Sequence, residues 1–516
     1  MTTLTHGTQP TIDRDDAAVA AYRQSPGAPL PRLALPIVVV LAVAKVLFQL
    51  ATAQLYGAHR DEFYYLAGGH HLAWGYVDHP PAVPALDRLA ELVLGHSVFA
   101  LHVVPALIGG VLVLLGALLA RELGGGTRAQ TLTAVVAAIG PLYLATAHFL
   151  STVTLDLVVW ALSSLLVIRM IRTRDPRWWL AIGAVVGLGL LNKYTVAFWV
   201  LGAVGGLLCT RQRRLLWSRW ALGGAGIAAV LVAPNLVWQA THHWATFEFM
   251  QKLRENNGAS DVREFIPLQL AMLSLAGTVV WVAGLRATVR RSGDEVHRWL
   301  AVGWLMLFVV LFAAEGKGYY LGSWYLPLVA LGAVVIERRW SRRAQRILFA
   351  AIVVTSLVTA PLFTPILPER TFVDAGFNDA NKDLGSLIGW PHVVHQIADV
   401  MHGLPADEQR RAVILTSNYS EAGALDFWRS ELAISDVISG HNTYWWWGLG
   451  HRRRGPVVTV GFDRQFLARY WADCARAGTL GRGAPIDPQE VGAPLYVCRD
   501  QTISWAELWP HLRHYG

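Results

Sequence analysis

Long apolar runs separated by short basic segments recur from about residue 33 to residue 365. Candidate spans fall at 33–54, 98–120, 130–149, 152–171, 178–191, 195–209, 220–238, 266–286, 298–314, 319–336 and 347–364. Several approach the roughly 20 apolar residues that a helix needs to cross a bilayer. The pattern predicts a polytopic α-helical membrane protein with about 11 transmembrane helices. Arginines sort the connecting segments. Arg121 and Arg128, then Arg172, Arg174 and Arg177, then Arg211, Arg213, Arg214 and Arg219 all follow alternate spans. Arg286, Arg290, Arg291 and Arg298, and finally Arg338, Arg339, Arg342, Arg343 and Arg346, continue the series. With eleven crossings every one of these clusters lies on one side, and the positive-inside bias makes that side the cytosol. The first loop (55–97), the loop 240–265, the Glu315–Tyr320 turn and everything after about 365 then face outward.

Residues 178–209 cannot be a single span. One helix of that length would be about 48 Å long, against a hydrocarbon core near 30 Å. Basic clusters flank both ends, so an even number of crossings is required, and the break falls at Asn192-Lys193-Tyr194. Two short half-spans would therefore deliver Lys193 to the outer face. Irregular backbone at membrane depth survives only when buried in protein or lining a wet cavity.

Composition agrees with this topology. Of 516 residues 54% are apolar and 16% charged, against roughly 25% charged in soluble domains, and mean hydropathy is +0.37. The formal charge of +8 resides in the arginine loops and calls for no nucleic-acid partner. Residues 1–32 are polar, with Arg14, Asp15, Asp16 and Arg23, and read as a disordered cytosolic tail. The domain plan is that tail, a transmembrane catalytic domain over 33–365, and a small extracytoplasmic α/β domain over 366–516. In the last, Arg411–Ser417, Val457–Gly461 and Pro494–Cys498 read as strands, and Gly423–Arg429 and Gln465–Ala475 as helices. Its two cysteines, Cys474 and Cys498, are either bridged, as an oxidising compartment would allow, or two free buried thiols.

The polar residues expected on the outer face are the candidates for chemistry. Asp61 and Glu62 open the first loop, with Tyr64, Tyr65, Asp78 and His79 close behind. Asp156 lies near the outer end of the fourth span, Lys193 at the half-span break, and Lys317 beside Tyr319 and Tyr320. Ionisable groups within a membrane are expensive and are functional candidates by default. Bland readings exist for two of them: a dipole-favoured acid for Asp156 and a snorkelling amine for Lys317. A carboxylate can take the proton of an attacking hydroxyl, and lysines can neutralise charge growing on a departing phosphate. No glycine-rich nucleotide cradle is present, since Gly124–Gly126 follows a span and faces the cytosol. An activated lipid phosphate is the natural donor. Two rivals stand beside this reading: a lipid-linked sugar flippase, although one break and no internal repeat fit it poorly, and a receptor or assembly factor working through the external domain.

The segment HRDEFYYLAGGHHLAWGYVDHPPAVPAL, followed in order by TLDLVVW, GLGLLNKYTVAFW, PNLVWQATHHWATFEF and GKGYYLGSWYLP, resembles bacterial membrane glycosyltransferases of the protein-mannosyltransferase and aminoarabinose-transferase superfamily, which share the GT-C fold. The resemblance covers roughly residues 35–360, and VILTSNYSEAGALDFW and SGHNTYWWWG extend it into the external domain. It implies transfer of a sugar from a polyprenyl-phosphate donor to a hydroxyl acceptor, with inversion. Asp61, Glu62 and Asp156 match catalytic acids, and Lys193, Lys317, Tyr319 and Tyr320 match the donor-phosphate site. Tyr64, Tyr65, Asp78, His79 and His243 are the expected substrate-binding residues. Aminoarabinose transferases carry Lys-Pro-Pro where this chain has His79-Pro80-Pro81, a change at the expected acceptor side. Some relatives bind a divalent metal, and Asp61, Glu62 and His79 are the residues here that would hold one.

Overall fold

The computed structural model describes residues 29–289, 294–449, 455–481 and 491–516. Most of the expected tail (residues 1–28) and Arg290 and Arg291 lie outside the described residues. A helix stands at each predicted apolar run. The series is Leu35–Thr52, Val98–Glu122, Thr127–Ile139 with Pro141–Ala145, Thr152–Thr173, Trp178–Leu190, Val196–Leu208, Arg219–Thr241, Ser274–Val289, Arg298–Ala313, Tyr325–Arg339 and Arg342–Thr359. Among the described residues six helical segments are long and apolar enough to cross a bilayer, or seven with the bent pair Phe265–Ala271 and Ser274–Val289. Trp178–Leu190, Val196–Leu208 and Arg298–Ala313 are apolar but shorter. Length and composition alone thus single out six or seven of the eleven expected spans among the described residues.

Without a hydrophobic drive between helices in lipid, small residues at contacts bring backbones together. A β-carbon added at Gly183 would lie 2.0 Å from the Gly224 carbonyl oxygen, and one at Gly332 1.8 Å from that of Val280. These helix pairs touch backbone to backbone. At the basic end of the bundle, Glu122 accepts hydrogen bonds from Arg169 and Arg172, and Arg338 donates to the Gly124 carbonyl. The Asn192–Tyr194 break falls where the length argument puts it, between Trp178–Leu190 and Val196–Leu208.

One expected loop is not a loop. Residues 245–271 form a helix, Ala245–Ala271, joined to Ser274–Val289 through a 96° bend. Its stretch Met250-Gln251-Lys252-Leu253-Arg254-Glu255 is largely polar but composed of strong helix formers, so the loss of hydrophobicity here does not mark an end of helix.

The C-terminal part is a five-stranded sheet with flanking helices. Strands β1 (Val413–Thr416), β2 (Val437–Ser439), β3 (Val457–Val460), β4 (Trp471–Thr479) and β5 (Pro494–Gln501) lie in the order β2-β1-β3-β5-β4. β1 runs parallel to β2 and β3, whereas β5 is antiparallel to β3 and β4. The helix expected over Gln465–Ala475 is a correction: only Arg464–Leu467 is helical, and β4 follows. The Ala- and Arg-rich composition favours helix locally, but pairing with β5 overrides it. That pairing puts Cys474 opposite Cys498, and the two are disulfide-bonded. Closing a loop with a sequence separation of 24 residues restricts the unfolded chain by about 3 kcal/mol. Replacing both cysteines by serine is therefore expected to lower the unfolding transition of this part under non-reducing conditions. An unchanged transition in a thermal melt would refute that.

Candidate active site

The acidic loop is organised by a helix start. His59 caps Arg60–His70, its ring accepting from the Asp61 amide while the Glu62 carboxylate accepts from the His59 amide. Adjacent residues on a helix point about 100° apart, so the two acids separate. Asp61 keeps 30% of its side chain exposed, with His59 and Arg60 within 3.9 Å. The Tyr419 hydroxyl, from the helix Tyr419–Leu432 after β1, donates to it at 2.8 Å. Burial pushes the Asp61 carboxyl up, but His59, Arg60, Tyr419 and Lys317 together outweigh it and hold the group below the ordinary carboxylate range.

Glu62, expected to complete a reacting pair, faces inward and is fully buried. It accepts from the Leu150 amide at 2.8 Å and lies 3.0 Å from His102 Nε2, besides capping His59. Its oxygens are engaged in joining the first loop to the helix Val98–Glu122 and to the segment just before Thr152–Thr173. Asp61, Glu62 and His79 therefore do not fit as three ligands of a divalent ion. Among the described residues no group of three or more His, Cys, Asp or Glu is set to hold a metal.

Beside Asp61 lies a second knot. The Tyr64 hydroxyl sits 2.8 Å from Asp78 Oδ1 and 2.6 Å from Thr443 Oγ1, and Thr443 also accepts from the Val77 amide. Asn442 donates to Asp78 at 3.4 Å, and Asp78 is pushed up by burial. Tyr65 is buried, its ring edge-on to His79 at 4.9 Å. His79 packs against Tyr64, Tyr65 and Tyr76 with Nε2 3.8 Å from Asp78.

The lysines arrive from the membrane helices. Lys193 Nζ stands 5.4 Å from the Tyr319 ring centroid and 4.9 Å from that of Tyr320. Lys317 Nζ is 6.0 Å from the same Tyr319 ring. Two amines share one aromatic platform, and Lys317 is near enough to both Asp61 and Lys193 to bias their ionisation. Asp156 takes a different part from the one expected of it. It is 2% exposed and accepts from Trp160, Thr195 and Ser323. The carboxylate thus pins the half-span break to the 3₁₀ turn Gly318–Trp324, tying the segment of Lys193 to that of Lys317. His243 stands outside this cluster: it is exposed, with φ 57°, and its ring is 6.4 Å from Trp446.

Tyr419, Asn442 and Thr443 are the site residues the sequence reading missed. One signal was available: Asn418 and Glu421 form a capping box, a spacing readable in the sequence, which starts the helix at Tyr419.

Residues 78–238 match the family model described as dolichyl-phosphate-mannose-protein mannosyltransferase; that stretch includes Asp78, Asp156 and Lys193. RgtD of Rhizobium johnstonii, a lipid A galacturonosyltransferase, is 26% identical over 288 residues, 53% of this chain and 59% of its own. An undecaprenyl phosphate-alpha-4-amino-4-deoxy-L-arabinose arabinosyl transferase of Pseudomonas fluorescens is 25% identical over 307 residues, 55% of each chain. The crystal structure of ArnT from Cupriavidus metallidurans in the apo state superposes with a TM-score of 0.60 at 15% identity, over 90% of this chain and 97% of that one. The chain has the GT-C fold of ArnT and is similar in sequence to protein-mannosyltransferase-like and aminoarabinose-transferase-like membrane proteins. The matched stretch spans a little over half the length of the two curated relatives. The undecaprenyl phosphate-bound form of ArnT superposes almost as well, with a TM-score of 0.58 at 14% identity over the same shares of the two chains. The GT-C likeness reaches across 90% of this chain, so it takes in most of the C-terminal sheet domain that contributes Tyr419 and Thr443.

Proposed function

We propose that this GT-C protein is an inverting glycosyltransferase that moves a sugar from a polyprenyl-phosphate donor to an acceptor hydroxyl on the outer face of the cytoplasmic membrane. The observation that carries the reading is the convergence of Lys193 and Lys317 on the Tyr319 ring, with Asp61 in electrostatic reach of Lys317. The acceptor oxygen attacks the anomeric carbon as its proton passes to the Asp61 carboxylate. The bond from that carbon to the phosphate oxygen breaks, and its electron pair stays on the phosphate. The polyprenyl phosphate gains one negative charge, which the two ammonium groups offset. Protonated Asp61 then returns its proton to water. Asp61 acts as the base, Lys193 and Lys317 with Tyr319 and Tyr320 hold the donor phosphate, and Tyr64, Tyr65, Asp78 and His79 shape the sugar pocket. Glu62 and Asp156 are positioning residues in this scheme. The arginine-rich end of the bundle marks the cytosolic side, and with eleven crossings Asp61 opens on the other.

The relatives named above act on lipid A or use an undecaprenyl phosphate-linked aminosugar, which supports a lipid-linked donor here as well. The test uses the full chain in sealed proteoliposomes holding a radiolabelled undecaprenyl-phosphate sugar and an extract of envelope acceptors. Label is expected in a product resistant to the mild acid that cleaves sugar phosphates. Movement of labelled lipid between leaflets without such a product would make the protein a flippase and reject this assignment.

A further inference from the structure

At the arginine-rich end lies a cleft the proposed reaction does not use. It has a volume of about 380 Å³ and sits between the ends of Leu35–Thr52, Thr127–Ile139, Tyr325–Arg339 and Arg342–Thr359. Its inner wall is apolar, made by Ile37, Leu132, Ile336 and Phe349, and its rim carries Arg128, Arg342 and Arg346. Arg342 and Arg346 are one helical turn apart on the same face and both are exposed.

The acid in this cleft pairs with Arg128 and with backbone amides, not with Arg342 or Arg346. Glu337 accepts from the backbone amides of Gly126, Arg128 and Ala129 at 2.6, 3.1 and 3.3 Å, with Arg128 Nε 3.8 Å away. Gln345 holds the Arg128 guanidinium at 2.6 Å while donating to the carbonyls of Ile336, Glu337 and Trp340. Arg128 is thus fixed in place before anything binds, and Arg342 and Arg346 add two cations with no carboxylate within 4.0 Å of them among the described residues. An apolar slot among apolar helices under a fixed positive rim matches one kind of molecule. We infer that this cleft binds one anionic phospholipid of the arginine-side leaflet, its phosphodiester between Arg128, Arg342 and Arg346 and the start of an acyl chain against Leu132 and Phe349. Charge complementarity selects the headgroup, and the apolar wall separates a lipid from a free anion.

The experiment is native mass spectrometry of the full-length protein in detergent, titrated with phosphatidylglycerol, phosphatidylcholine or inorganic phosphate. The wild type is expected to retain one phosphatidylglycerol at concentrations where phosphatidylcholine and phosphate are stripped. Arg342→Gln with Arg346→Gln is expected to weaken that retention about tenfold or more. Arg213→Gln with Arg214→Gln, which removes the same charge from another exposed segment of the same face, should leave it unchanged. Equal retention of phosphatidylcholine, retention of phosphate alone, or equal loss in the two double variants would each overturn the inference. The lipid competition on wild-type protein decides the matter even if the Arg342 and Arg346 double variant does not fold.

Discussion

Asp61→Asn is expected to lower transfer from a labelled polyprenyl-phosphate sugar by about 10²- to 10⁴-fold, the usual contribution of a positioned general base. Asparagine keeps the size of the side chain and can still accept from the Tyr419 hydroxyl, which donates to Asp61 Oδ1 in the wild type. It cannot take a proton. The loss should therefore appear in kcat with little change in donor KM, because Lys193, Lys317 and the Tyr319 platform are untouched. Glu62→Gln gives the contrast. Its carboxylate joins His59, His102 and Leu150, so the amide is expected to lower the melting temperature as well as the rate. Normal turnover by the Asp61 variant, with normal insertion, would remove Asp61 from the chemistry.

The contrast between these neighbours shows what the sequence made legible. Two adjacent acids read as a pair, but a helix begins at Arg60 and turns them to different surroundings. Only Asp61 keeps part of its side chain exposed, with Lys317 in electrostatic reach. Lys193 was legible for a reason of length: the stretch 178–209 between basic clusters is too long for one span, and the chain had to break at the polar triplet. Asp156 was legible as important but not in its role, since Thr195 and Ser323, its partners, lie 39 and 167 residues away. Residues 245–271 failed for the opposite reason. Hydropathy reports lipid contact, and a largely polar helix lacks that signal while remaining a helix. In the C-terminal domain β1, β3 and β5 were visible as buried apolar runs, whereas β4 is mostly exposed and takes its conformation from pairing with β5 and from the disulfide.

The contribution of that domain is what sequence alone could least supply, because Tyr419 meets Asp61 across 358 positions. Gly423, one turn beyond Tyr419, rests directly on the first loop: a β-carbon there would lie 2.9 Å from Phe63 and 3.0 Å from the Tyr64 amide. Gly423→Leu is therefore expected to pry the helix Tyr419–Leu432 off Arg60–His70 and cost about 10²-fold in transfer, the scale of a misplacement near 1 Å. Tyr419→Phe separates geometry from charge. It leaves the packing in place and removes one of the contacts that hold the Asp61 carboxyl low. The base works only when ionised, so the rate falls as pH drops through its folded pKa. A higher pKa moves that acid limb to higher pH. The Tyr419→Phe profile should thus approach wild type at neutral pH and fall away sooner on acidification, whereas Gly423→Leu, which displaces the loop as well as the hydroxyl, should depress the rate at neutral pH too. An acid limb that stays in place in Tyr419→Phe would mean that the hydroxyl does not tune the base. Full activity in Gly423→Leu would mean that the sheet domain is not needed to seat the loop.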